Sequence, residues 1–198
     1  MMAHPIIKPL ATIFAVMSFG ATHVPAQLSN TSPTARIRLF GQNGVSVKLY
    51  RNTQCAGGEK IMVSGGIGDA FSSFLGVIKN ESIGMPDTPN SADPASRNGL
   101  MSKAYFREYE VPAGQPLIVS MSFMNASAPP SKQLRQWSQT AYCKTITTTF
   151  VPERGRDYEG ILDVRSDLAI CVQQINEIKP SEEGIELQQV DTVPAETC

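Results

Sequence analysis

The chain has 198 residues, 41% of them hydrophobic, and a formal net charge of −1. This length supports one domain with a sizeable core and falls short of two. The near-balanced charge, without a basic stripe, argues against nucleic acid and against an anionic membrane as partners.

The first 26 residues have the three parts of a cleavable secretory signal. Lys8 supplies a positive start, an apolar stretch runs from Leu10 to Ala21, and Val24-Pro25-Ala26 offers a cleavage site. The stretch is shorter than the roughly 20 apolar residues that a membrane-spanning helix requires. We therefore expect cleavage after Ala26, export to the periplasm or the exterior, and no membrane span in the mature chain.

Composition divides the rest of the chain into three parts. Residues 27–35 are polar and are expected to form a flexible lead-in. Residues 36–179 hold the strand patterns and are expected to form a β-sandwich domain. Residues 180–198 carry five carboxylates and no basic side chain, which predicts a loose, acidic and flexible tail.

Two pairs of alternating segments predict β-hairpins. Arg36–Phe40 and Val45–Tyr50 are joined through Asn43-Gly44, a strong short-range signal for a tight hairpin turn. A second pair runs over Lys103–Val111 and Leu117–Met124. The last third predicts a three-strand meander over Tyr142–Val151, Tyr158–Arg165 and Leu168–Ile178.

Three intervening segments are less regular. The spacing of apolar residues in Asp69–Ile78 fits either one amphipathic helical stretch or an irregular segment packed on the core. Residues 86–99 have turn chemistry and predict a long surface loop. Leu134, Trp137 and Ala141 fit one helical turn, although a strand from Gln139 onward competes.

These patterns predict a mainly β fold. About seven to eight short strands, separated by turn residues, are typical of an antiparallel β-sandwich with at most one or two short helices. Strands do not alternate with long helices, which argues against a parallel βαβ sheet.

The four cysteines are Cys55, Cys143, Cys171 and Cys198. An even number in an exported chain indicates two disulfides, and no two of them have the close spacing of a metal-binding C-x-x-C pair. Three pairings are possible. Of these we prefer Cys143–Cys171 with Cys55–Cys198.

Several short motifs together resemble a known group of proteins. They are Arg38–Gly44, Tyr109–Pro116, the segment from Cys143 through Phe150-Val-Pro to Tyr158, and Cys171-Val. The chain resembles uncharacterised secreted bacterial proteins with a transthyretin-like or immunoglobulin-like β-sandwich over most of its mature length. The resemblance implies the fold and carries no activity.

Both histidines, His4 and His23, lie in the predicted signal, so residues 27–198 contain none. This excludes Ser-His and Cys-His nucleophile pairs, imidazole metal sites and the usual general base near neutral pH from the mature chain. We therefore expect no catalytic, metal or cofactor-binding residues, and an enzyme is the less favoured interpretation.

Carboxylates of the last predicted hairpin leave one catalytic alternative open. Alternation places Asp157, Glu159 and Asp163 on one strand face, with Ile161 between them. Two such carboxylates could serve a carbohydrate-active module or hydrolase. The interpretation we favour is a solvated strand face opposite Arg154, Arg156 and Arg165.

The candidate ligand-contacting aromatics are Trp137 and Tyr142, which flank a loop rich in Ser and Pro. An exposed aromatic pair could stack on a sugar or anchor a protein, whereas a buried Trp137 would plug one end of the sandwich.

Three functions follow from the sequence. The first is a non-catalytic exported β-sandwich that binds a protein or a surface polysaccharide. The second is the carboxylate-based hydrolase, and the third is a structural subunit of a secreted assembly joined through Cys198 or through strand addition.

Overall fold

The computed structural model describes residues 34–42, 44–66, 78–97, 103–124, 142–165 and 170–198. The predicted signal, the lead-in up to residue 33 and the predicted helical segments at 69–77 and 134–141 lie outside these ranges. The described residues contain ten strands: β1 Thr34–Gly41, β2 Val45–Arg51, β3 Ile61–Ser64, β4 Tyr105–Pro112, β5 Leu117–Met124, β6 Tyr142–Phe150, β7 Asp157–Arg165, β8 Ile170–Ser181, β9 Gly184–Gln189 and β10 Val193–Pro194.

The strands form two five-stranded sheets. Sheet A has the order β4-β1-β7-β8-β9, and sheet B has the order β10-β6-β5-β2-β3. Neighbouring strands are antiparallel except β1 and β7, which are parallel with Arg36 beside Asp157 and Leu39 beside Gly160. The predicted fold class, a mainly β sandwich rich in antiparallel pairs, is confirmed.

The core lies between the two sheets and is built from alternate residues of each strand. Ile37 and Leu39 of β1 meet Val47 and Leu49 of β2 there, all of them without solvent exposure. Period-two alternation explains this arrangement, because residues i and i+2 share one face of a strand.

Both predicted hairpins are wrong, although their strands are present. β1 lies in sheet A and the next strand, β2, lies in sheet B; residues 113–116 likewise connect β4 in sheet A with β5 in sheet B. Two strands with alternating apolar residues can pair side by side in one sheet, or they can lie in two sheets that face each other across a core. Their apolar pattern is the same in both cases, so the sequence does not distinguish the two.

The predicted meander is partly confirmed. β7 and β8 pair antiparallel along nine residues, from Asp157 opposite Ile178 to Arg165 opposite Ile170. β6 belongs to sheet B instead and pairs with β5 and β10. The turn that follows β6 therefore leads from sheet B to β7 in sheet A.

The predicted loop at 86–99 contains two short helical elements. Helix α1 spans Pro89–Ala92, and a single 3-10 turn spans Pro94–Arg97. Thr88 caps α1 in a reciprocal capping box with Ser91, and Pro89 occupies the first turn. Both features favour a helix start.

The expectation of a loose tail at residues 180–198 is wrong. β8 continues to Ser181, β9 pairs with it from Gly184 to Gln189, and β10 pairs with β6. After β10, the backbone N–H of Ala56 donates to the carbonyl of Glu196 at 2.7 Å. The acidic composition concealed the alternation Ile185-Glu-Leu-Gln, which is that of a short strand.

The preferred disulfide pairing is confirmed. Cys143 of β6 bonds Cys171 of β8 and thereby links the two sheets, with the Cα atoms 5.7 Å apart. Cys55 bonds Cys198 with the Cα atoms 5.2 Å apart, across a sequence separation of 143. The second bond fastens the C-terminal segment to sheet B.

Gly160 of β7 lies at a point where the core leaves no room for a side chain. A Cβ atom there would lie 2.6 Å from Leu39 Cδ2 and 3.0 Å from Ile175 Cδ1. We expect Gly160→Ala to lower the free energy of unfolding by about 1–3 kcal/mol, because a packed core resists an added methyl group. Chemical denaturation would measure the change.

Leu39→Val provides the matched background for this test, since valine has no Cδ atom. We expect the cost of Gly160→Ala to fall by at least about 0.5 kcal/mol in that background. Equal costs in both backgrounds would show that Leu39 is not the obstacle.

Candidate functional site

A single segment, residues 78–97, lies across the outer face of sheet A, and we call it the strap. It begins at the side of β4 that faces away from β1, where the N–H of Glu81 donates to the carbonyl of Phe106 at 3.0 Å and the carbonyl of Glu81 accepts from the N–H of Glu108 at 2.9 Å. It ends near β7, where Arg97 Nη2 donates to the carbonyl of Leu162 at 3.0 Å. The strap thus crosses β4, β1 and β7 in turn.

Beneath the strap lies a row of three buried charges, one from each strand. Arg38 of β1 is 0% exposed and lies between Glu108 of β4 and Glu159 of β7, its register partners on either side. Arg38 Nε and Nη2 donate to Glu108 Oε1 at 2.9 and 2.6 Å. Arg38 Nη1 lies 3.6 Å from Glu159 Oε2, which is an ion pair without a hydrogen bond. We call these three residues the ionic row.

The strap satisfies the remaining oxygens of the ionic row. Glu159 accepts from Thr88 Oγ1 and from Asn90 Nδ2, both at 2.6 Å. Arg38 Nη2 in turn donates to the strap carbonyl of Pro86 at 3.0 Å. Glu108 Oε2 accepts from Ser82 Oγ and from the backbone N–H groups of Ile83 and Met85. Both carboxylates therefore serve as anchors for the strap.

A second ion pair flanks the ionic row. Arg36 donates from Nε and Nη2 to the two oxygens of Asp157 at 2.6 and 2.7 Å, a bidentate geometry that is both specific and strong. Its Nη1 also reaches the strap carbonyl of Gly84 at 3.1 Å.

On the side of the ionic row away from Arg36 and Asp157, the outer face of sheet A is apolar. Phe40 and Phe106 meet edge to face with ring centroids 5.8 Å apart, and Ile161 completes their cluster. Arg38 lies 5.0 Å from the Phe106 ring centroid. The aromatic cluster thus packs against the buried charge.

The surroundings of Glu108 favour the ionised form of its carboxyl group. Burial alone raises its pKa, but the hydrogen bonds that it accepts outweigh this effect and the pKa lies below its ordinary value. The donors are Arg38, Ile83, Ser82 and Met85. A general acid in glycoside hydrolysis needs a raised pKa. Glu108 has the opposite shift, and the oxygens of Glu159 are occupied.

The prediction of a solvated carboxylate face is wrong for Asp157 and Glu159, whereas Asp163, the third predicted carboxylate, is half-buried. Asp157 and Glu159 do share the outer face, but Glu159 is 0% exposed and the cations opposite them are Arg36 and Arg38. Arg156 instead approaches Glu177 at 3.3 Å. The expectation erred because the pattern of β7 shows which residues share a face and does not show that another segment covers it.

Sequence reasoning missed Arg38 and the strap residues that bind the carboxylates. One signal was present: Arg36 and Arg38 lie two residues apart in β1, as do Asp157 and Glu159 in β7. Two charged residues at the same spacing in two strands predict facing ion pairs if the strands are neighbours. Parallel pairing of β1 with β7 could not be inferred, because more than a hundred residues separate them.

The other predicted site residues have different outcomes. Trp137 lies outside the described residues, and Tyr142 is the first residue of β6. Within the described ranges, no group of three or more His, Cys, Asp or Glu side chains is placed to hold a metal ion. No helix in the described part of the chain has the length and apolar character needed to cross a bilayer.

Comparison with known proteins adds no relative. No family model matches the sequence, and no curated protein and no solved structure matches it either. The resemblance to secreted transthyretin-like or immunoglobulin-like proteins therefore stays a prediction.

The ionic row makes stability depend on the charge of Glu108. We expect Glu108→Gln to lower the free energy of unfolding near pH 7 by about 3 kcal/mol, because it leaves Arg38 as a buried charge with a weakened partner. Glu110→Gln is the matched control, since Glu110 lies on the same strand and is exposed. We expect it to change stability by less than about 0.5 kcal/mol.

The same pair of variants tests the pH dependence. Because the folded-state pKa of Glu108 is below its ordinary value of 4.5, its contribution is complete above that value and is lost as the pH falls through the folded-state pKa. The stability gap between wild type and Glu108→Gln should therefore narrow on acidification. A gap that is constant from pH 7 to strongly acid conditions would contradict the role given to Glu108.

Proposed function

We propose that this protein is exported from the cytoplasm and acts outside it as a non-catalytic β-sandwich that binds another protein. The observation that carries the proposal is the use made of the buried carboxylates of sheet A. Glu108 and Glu159 accept hydrogen bonds from the strap, and Asp157 pairs with Arg36, which donates to the strap carbonyl of Gly84. Their role is to hold a surface loop in place, and scaffold-mounted loops commonly carry binding residues.

Two observations support export. All four cysteines are paired in disulfides, and such bonds form and persist in oxidising compartments. The N-terminal 26 residues have the composition of a secretory signal. Together they favour a mature chain that begins at Gln27 and contains no histidine.

One feature of the strap supports a protein partner. Ile83 is 45% exposed although its own backbone N–H is held by the Glu108 carboxylate at 2.6 Å. A fixed loop that presents an apolar side chain loses little conformational entropy when a partner covers it. Ile83 is therefore a suitable contact for a second protein.

Export can be tested by the intact mass of the protein recovered from its native compartment. We expect a mass that begins at Gln27 and that rises by about four hydrogens on reduction, as two disulfides require. A chain that retains Met1, or one whose cysteines are already reduced, would contradict export.

The absence of catalysis can be tested on the purified, oxidised protein with ester, peptide and glycosidic substrates. We expect no turnover above that of a heat-inactivated sample. Saturable turnover that is lost in Glu159→Gln and retained in Glu110→Gln would identify an enzyme and overturn the proposal.

Binding can be tested with photoreactive side chains placed in the intact chain in its native compartment. We expect a substituent at Ile83 or at another exposed position to yield a protein adduct of defined mass. A result in which none of the exposed positions tested yields a protein adduct would contradict a protein-binding role.

A further inference from the structure

The two sheets have four edge strands, and three of them are protected against pairing with a further strand. β4 is bridged by Glu81 of the strap. On β3, the carbonyl of Val63 accepts from Arg107 Nη1 at 2.7 Å and from the Tyr105 hydroxyl at 3.3 Å. β10 has only two residues, one of which is Pro194. Short strands, proline and covering segments are the usual means by which proteins protect sheet edges.

The fourth edge, β9, lacks these devices. It pairs with β8 over six residues without a bulge, contains no proline, and ends sheet A among the residues that the structure describes. An edge of this kind presents a row of unpaired backbone N–H and C=O groups.

The register shows which backbone groups face outward. The two-residue turn at Glu182-Glu183 makes Ser181 and Gly184 the closing pair of the β8–β9 hairpin. Hydrogen-bonded and non-hydrogen-bonded pairs then alternate along the hairpin. Pro180 lies in a non-hydrogen-bonded pair, where its lack of an N–H costs no hydrogen bond to β9. The outward backbone groups are those of Ile185, Leu187 and Gln189.

The surroundings of this edge are acidic. Glu182, Glu183, Glu186 and Asp191 lie on or beside β9, and none of them takes part in a salt bridge within the described chain. Lys179, which lies opposite Glu186 in the ladder, approaches Glu177 at 3.4 Å. The edge therefore carries uncompensated negative charge.

This charge disfavours a second copy of the chain as the occupant. An antiparallel pairing of two β9 edges centred on Leu187 would place Glu183 of one copy opposite Asp191 of the other. Like charges directly opposite each other destabilise a strand pair.

We propose that the β9 edge binds an extended, cationic segment of a partner protein as an additional strand of sheet A. This inference rests on the proposed function and specifies the surface and the chemistry of the partner. Backbone hydrogen bonds to Ile185, Leu187 and Gln189 supply the pairing, as in other cases of strand addition. Lysine or arginine side chains of the partner supply the charge that Glu186 and its neighbours lack.

The alternation of β9 also defines the pattern of the partner. Ile185 and Leu187 are half-buried on the outer face of sheet A, whereas Glu186 and Gln188 point to the other face. Residues directly opposite in a ladder share a face. A matching segment therefore alternates apolar residues, opposite Ile185 and Leu187, with cationic ones, opposite Glu186.

A peptide of sequence Lys-Val-Lys-Val-Lys-Val-Lys tests the proposal on the full, oxidised chain, with Glu-Val-Glu-Val-Glu-Val-Glu as its charge-reversed control. We expect the cationic peptide to bind, the acidic peptide not to bind, and the affinity to fall as salt is added. Amide hydrogen exchange should slow at Ile185, Leu187 and Gln189 when the cationic peptide is present.

Leu187→Pro and Leu187→Ala form the matched variant pair. Proline removes an outward N–H that β8 does not use, whereas alanine keeps it. We expect Leu187→Pro to weaken peptide binding by about tenfold or more, since it removes one hydrogen bond and adds the bulk of the ring. Leu187→Ala should stay within about threefold, because it removes side-chain contact only.

Several results would overturn the proposal. They are equal affinity for the two peptides, no binding of the cationic peptide, equal binding to the proline and alanine variants, and protection of amides elsewhere. Self-association that protects the same three amides would assign the edge to a second copy instead. If adducts form at Ile83 but the peptide fails, the β9 site is wrong while the protein-binding function stands. The hydrogen-exchange measurement uses the unaltered chain, so the test does not depend on the folding of Leu187→Pro.

Discussion

A buried positive charge on β1 determines how the outer face of sheet A is covered. Arg38 has no contact with solvent, so its guanidinium group must be compensated by partners within the protein. Glu108 and Glu159 provide that compensation from the two neighbouring strands, and the strap provides the rest. A shift of any of these strands by one residue would turn its charge to the opposite face of the sheet. The ionic row therefore fixes both the register of β4, β1 and β7 and the path of the strap.

Such a row is a costly way to stabilise a fold, because removing charges from water offsets much of the attraction between them. Apolar residues at the same three positions would cover the face of sheet A, but they would not specify where the strap lies. Donors at Thr88, Asn90 and the backbone of Ile83 each find one particular carboxylate oxygen. The arrangement favours a defined loop position over maximal stability.

The sequence revealed the strands and the fold class, and it did so through local alternation. Ile37 with Leu39, and Val47 with Leu49, are recognisable as apolar strand faces without any structure. The sheet to which each strand belongs was not recognisable, because Asn43-Gly44 suits a tight hairpin while the strands it joins lie in different sheets. For the site, sequence reasoning placed Asp157 and Glu159 on a common face correctly. Their burial depends on a strap that starts nearly eighty residues earlier in the chain, and no local pattern contains that information.

The disulfides have a consequence for the integrity of the chain. Cys55–Cys198 closes a covalent ring that contains the smaller Cys143–Cys171 ring, so the strap and every strand from β3 to β10 lie within a closed loop. A protease that cut once in the strap, or in any turn of this region, would leave a single covalent molecule. The new chain ends would stay beside each other because the sheets on both sides of the cut keep their other neighbours. Release of a fragment requires a second cut, and the domain is accordingly built to survive nicking of its exposed loops.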